Sequence, residues 1–147
     1  MMIDSKNLLS EDLALPASAT TEYSTNELHF ETGYDAFGTA VASPNIGHGT
    51  PVYFNFVITA TAATASGSPT LTLNLVGGTE TAPTTVIQRI CSAVADTTLV
   101  AGYKFSVALQ DFPEWPVYLR LQVIANDAGF DAGTYSAWLS NHPLSDY

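Results

Sequence analysis

Between Asn126 and Gly133 the chain reads Asn-Asp-Ala-Gly-Phe-Asp-Ala-Gly, acids and glycines in the style of a cation loop. Calcium there would need about six to eight oxygen ligands, and an EF-hand loop closes on a bidentate Glu. Asp127 and Asp131 instead have Ala128, Phe130 and Ala132 around them, and no Glu ends the segment. The oxygens are too few, so no bound metal is expected. The same residues suit a turn, because Asn and Asp bond their own backbone and Gly supplies positive φ. Gly129 and Gly133 are therefore expected to turn a hairpin, with Asp127 and Asp131 holding local hydrogen bonds.

The remaining chemical groups are scattered. His29, His48 and His142 show none of the i, i+2 or i, i+4 pairing that zinc or iron sites use, and read as loop or surface residues. The single cysteine, Cys91, cannot form an internal disulfide. In "TTVIQRICSAV" it reads as a small buried hydrophobe, with no neighbouring histidine to make it a nucleophile. There is no Gly-x-Ser-x-Gly elbow and no Gly-Lys-Ser/Thr phosphate loop. The carboxylates fall almost entirely in expected loops, where nothing would raise a pKa for acid–base work. Neither enzyme activity nor a cofactor is expected.

Exposed aromatics can stack on sugars, and Trp115, Tyr118, Trp138 and Tyr147 are the candidates for such a platform. Trp115 lies between two prolines in "FPEWPVY", a setting that suits packing over one end of a sandwich. Trp138 falls on the opposite face from Tyr135 and Leu139, so it is expected to be exposed or at a subunit contact. For both tryptophans, packing or an interface is the favoured reading over a ligand.

Period-two alternation dominates from residue 51 onward. Val52, Phe54, Phe56 and Ile58 share a face, as do Leu71, Leu73 and Leu75, then Tyr103, Phe105, Val107 and Leu109. Leu119, Leu121 and Val123 repeat the pattern, and Tyr135, Ala137 and Leu139 close it. Each run reads as a strand with one packed and one wet face. The segments "TASGSP", "VGGTETAP", "DFPEWP" and "NDAGFDAG" separate them as turns. Many short strands with such punctuation predict an all-β chain, an antiparallel β-sandwich or jelly roll. Upstream, Leu8, Leu9, Asp12 and Leu13 have the spacing of one helical turn ended by Pro16. "NELHFET" is expected to be the first strand, and "GYDAFGTAVASPNIGHGTP" a long surface loop.

A length of 147 residues suits a single domain. Four cations (Lys6, Arg89, Lys104 and Arg120) face fourteen acids, for a net charge of -10. Scattered cations cannot neutralise a row of phosphates, so no nucleic-acid partner is expected, nor an anionic membrane. The N-terminus has no basic start before an apolar stretch and no run approaches ~18 apolar residues, so neither a signal peptide nor a membrane span is expected. A reducing cytoplasm is the expected place of synthesis.

Taken in order, "MMIDSKNLLS", "STNELHF", "GHGTPVYFNFVITAT", "SPTLTLNLVGG" and "LVAGYKFSVALQDFPEWPVYLRLQVIANDAGFDAGTYSAWLS" resemble the small jelly-roll capsid cement (decoration) proteins of tailed bacteriophages. The matching positions are Gly102, Tyr103, Phe105 and Pro113, then Tyr118 to Leu121, then Gly129, Ala132, Gly133, Ala137 and Leu139. The likeness covers nearly the whole chain and is loosest at residues 14–50 and 78–98. The "PEWP" turn and the "SNHPLSDY" tail depart from the pattern. The resemblance implies a homo-oligomer, dimer or trimer, on the outer surface of the virion, bound to the major capsid protein across capsomer seams. Residues 1–25 would form an N-terminal arm and residues 26–147 the jelly-roll domain. Met2, Ile3, Leu8, Leu9, Leu13, Leu15, Trp115 and Trp138 are the expected capsid or subunit contacts. On that reading, deletion of residues 2–15 leaves a folded sandwich. The alternative is a glycan- or receptor-binding module of a phage tail or fibre.

Overall fold

The computed structural model describes residues 7–30, 51–64, 66–110 and 116–144. Nine strands form among the described residues: β1 (Leu8–Ala14), β2 (Thr21–Tyr23), β3 (Leu28–His29), β4 (Tyr53–Ala63), β5 (Thr70–Gly78), β6 (Val86–Ala95), β7 (Lys104–Ala108), β8 (Tyr118–Asn126) and β9 (Ala132–Ser140). A 3-10 turn, Asp96–Thr98, follows β6, and no α-helix occurs among the described residues.

The strands make two antiparallel sheets, one in the order β1-β9-β4-β7 and the other β2-β8-β5-β6, with β3 also paired to β8. The pairing is nested: β1 with β9, β2 and β3 with β8, β4 with β7, and β5 with β6. Successive pairs fall in alternate sheets. A long hairpin rolled up this way is a jelly roll. The core lies between the sheets, and Phe54, Phe56, Ile58, Leu73, Leu121 and Ala137 are completely buried there. The alternation in the sequence therefore assigned the inward face correctly.

Three features differ from the sequence reading. Leu8–Ala14 is an edge strand, not a helical turn, and residues 21–23 pair with β8. Most of the expected N-terminal arm thus belongs to the sandwich. Among the described residues of "NELHFET" only Leu28 and His29 are strand, and this β3 is third in order, not first. The β8–β9 connection is not a hairpin within one sheet, since β8 and β9 lie in opposite sheets and residues 127–131 form the corner between them. Residues 33–50, expected to be a long loop, lie outside the described residues.

Open sheet edges invite unwanted pairing unless they are covered or tied. Side chains tie them here. On one side the Asn26 backbone N–H donates to Leu9 O at 2.9 Å and its side-chain amide donates to Leu8 O at 3.0 Å. On the other, Gln88 Nε2 donates to Ala108 O at 3.3 Å while Gln88 Oε1 accepts from the Gln110 N–H at 3.0 Å. One residue at each margin therefore joins the two sheets.

Candidate functional site

The acid-and-glycine corner is a packing device. Asp127 takes a left-handed backbone, φ 70°, just after β8, and Gly133 has φ 121° inside β9. Between them Phe130 plugs the end of the core, and its N–H donates to Pro16 O at 2.9 Å. The Asp131 N–H donates to Ala63 O at 2.7 Å. Both carboxylates are exposed, and neither accepts a hydrogen bond from a described residue, contrary to the local bonds expected of them. No group of three or more His, Cys, Asp or Glu side chains close enough for a metal occurs among the described residues.

The expected contact residues are divided differently by the fold. Leu9 and Leu15 are buried in the chain's own core and Leu13 packs against it, while Leu8 is half-buried opposite Trp138. The reason is the pairing of β1 with β9, which turns these apolar side chains inward. Met2, Ile3 and Trp115 lie outside the described residues. Trp138 does sit on the outer face of its sheet, yet it is only 4% exposed. Beside it Asn55 is also buried, with Oδ1 accepting from Ser106 Oγ at 2.6 Å and Nδ2 donating to His142 O at 3.3 Å. The Leu144 N–H donates to the same Ser106 hydroxyl at 2.8 Å, so the chain beyond β9 turns back over β4 and β7.

The reactive and aromatic groups fit the same pattern. Cys91 is half-buried against the core, and burial pushes its thiol pKa up, away from the thiolate that a nucleophile needs. The exposed His29 ring stacks on Tyr118 at 4.6 Å between centroids. With Trp138 buried and Trp115 and Tyr147 outside the described residues, no four-ring sugar platform is assembled among the described residues.

The most constrained surface feature was not singled out from the sequence. The connection from β5 to β6, residues 79–85, folds back over β8 and is held by two side chains. Arg120 Nε donates to Pro83 O at 2.8 Å and its Nη2 to Ala82 O at 3.1 Å, while its guanidinium lies 3.6 Å above the Tyr23 ring. Glu27 Oε2 accepts the Ala82 N–H at 2.6 Å. Ala82 itself has φ 53°, a left-handed conformation that is costly for a residue with a Cβ. Charge-assisted bonds are the stronger kind, and three of them converge on one peptide segment. Only the apolar signal was local, whereas these partners are far apart in sequence.

A nested double-sheet roll whose polar side chains join sheets, edges and loops is an antiparallel jelly-roll module. No curated protein matches the chain. The Bbp16 family model matches residues 9–139, from within β1 to within β9, and the chain belongs to the Bbp16 family.

Proposed function

We propose that this chain is a capsid cement protein of a tailed bacteriophage, binding the outside of the head and bridging neighbouring copies of the major capsid protein. The observation that carries the reading is the extent of the family match. It begins in β1 and ends in β9, so the Bbp16 unit coincides with the closed roll rather than with one motif or loop. The resemblance of the same strands and turns to phage cement proteins supports it. A net charge of -10 with four cations suits a protein that stays off the packaged nucleic acid. On this reading the protein is structural rather than catalytic, works as a homo-oligomer and resides on the virion exterior.

The rival, a glycan- or receptor-binding tail module, loses Trp138 as a stacking ring because that ring is buried. Purified protein mixed with undecorated heads and sedimented is expected to travel with the heads. Protein that stays in the supernatant, yet binds host cells or a glycan array, would replace the cement reading with its rival.

A further inference from the structure

We propose that the loop of residues 79–86 is a preformed docking element for the capsid, meeting a partner surface that offers a basic side chain to Glu80 and an apolar recess to Val86. The inference rests on the cement reading above and names the contact that reading requires. Loops normally lose conformational freedom on binding, and fixing one beforehand lowers that cost. This loop is fixed with unusual investment for so charge-poor a chain. Arg120 is one of only four cations, and it is committed with Glu27 to hold a segment whose Ala82 backbone is strained. Strain of this kind persists where the surroundings over-determine it, often at interaction sites.

What the clamp presents is specific. Pro83 faces inward and is buried, while Thr79, Glu80, Thr81, Thr84 and Thr85 stay exposed. Val86 follows at 48% exposure, one of two large apolar residues so exposed among the described residues. An exposed acid and an exposed valine on the same short segment call for a partner that offers both a base and an apolar recess. At this loop a second copy of this chain is a poor match, since Arg120 is already committed to the loop and few cations are left to meet Glu80. The complement is a different, basic protein surface.

The test is a sedimentation titration of undecorated heads with wild-type protein, the double variant Glu80→Arg/Val86→Ser, and a control, Glu11→Arg/Val100→Ser. The control alters an acid on β1 and the other exposed valine. The loop variant is expected to bind roughly tenfold more weakly or worse with an unchanged melting temperature, and the control to bind as wild type. A third variant, Glu27→Ala, removes the acceptor of the Ala82 N–H and should weaken binding and speed hydrogen exchange of residues 79–85 without touching either contact side chain. Wild-type affinity in the loop variant, or equal loss in the control, overturns the docking element and leaves the cement reading standing. Failure of the wild type to bind heads overturns both.

Discussion

Gly129 lies against the backbone of Ala17: a Cβ built on Gly129 would overlap the Ala17 carbonyl and the Ser18 nitrogen. The β8–β9 corner and the β1–β2 connection are thus in backbone contact, reinforced by the Phe130–Pro16 hydrogen bond. No rotamer change can relieve a clash with main chain. Gly129→Ala is therefore expected to cost about 3 kcal/mol or more in a denaturant titration. Gly102 is the comparison, because φ 91° strains any other residue there but open space surrounds it. Gly102→Ala should cost only about 1–2 kcal/mol. If both substitutions cost the same, the close approach at Gly129 is not what holds the corner.

Leu9 is completely buried and sits on an edge strand, where truncation removes packing from both sheets. Leu9→Ala is expected to destabilise by about 2–5 kcal/mol, and Leu8→Ala by clearly less, since Leu8 is only half-buried. Deleting residues 2–15 should then destabilise the sandwich instead of leaving it intact. It removes β1, and with it the carbonyls of Leu8 and Leu9 that Asn26 ties to the other sheet. A truncated protein melting like wild type would restore the free-arm picture.

Strands with strict alternation were legible because period two is a local property: Phe54, Phe56 and Ile58, or Leu119, Leu121 and Val123, needed no partner to be assigned inward. β1 hid its period. Its pairing shifts register between Leu8 and Ser10 and again between Ser10 and Leu13, and Asp12 has φ 45°. Leu9 and Ser10 are consequently both buried, and the remaining spacing of Leu9 and Leu13 imitates a helix. The corner at 127–131 was legible as a turn but not as a crossing, because hairpins and sheet-to-sheet corners use the same turn residues. Outer-face burial of Trp138, Asn55 and Asn74 was also invisible, since it depends on what lies over the sheet. The clamp is the extreme case, with Ala82 bonded to residues 38 and 55 positions away.

Tyr135 makes stability fall at alkaline pH. Burial pushes its phenol from 10.0 up to about 12, a hydrogen bond with Ser10 pulls it partway back, and the Glu22 charge adds to the rise. A group whose folded pKa lies above its unfolded value contributes fully below the unfolded pKa and loses that contribution as pH climbs through the folded one. The loss therefore falls between about pH 10 and 12, on the order of 3 kcal/mol. Cys91, also raised by burial, adds a loss that begins nearer its ordinary 9.0. Urea midpoints across this range should drop less steeply in Tyr135→Phe than in wild type. Parallel curves would remove Tyr135 as the cause.

Trp138 is the sharpest probe of whether the outer face of the four-stranded sheet is covered within one chain. It shares a transverse row with Leu8, Asn55 and Ser106 across β1, β9, β4 and β7. A tryptophan carries about 150–250 Å² of surface that gains from leaving water, which explains why the alternating pattern yields at this position. In Trp115→Phe, Trp138 becomes the sole tryptophan, and iodide should quench its emission weakly in the native protein and strongly after unfolding in urea. Strong quenching of the native protein would put the ring in solvent and return it to the role of sugar platform or subunit contact. Weak quenching that is the same at nanomolar and micromolar protein would place the cover within the single chain, and leave binding to other parts of the surface.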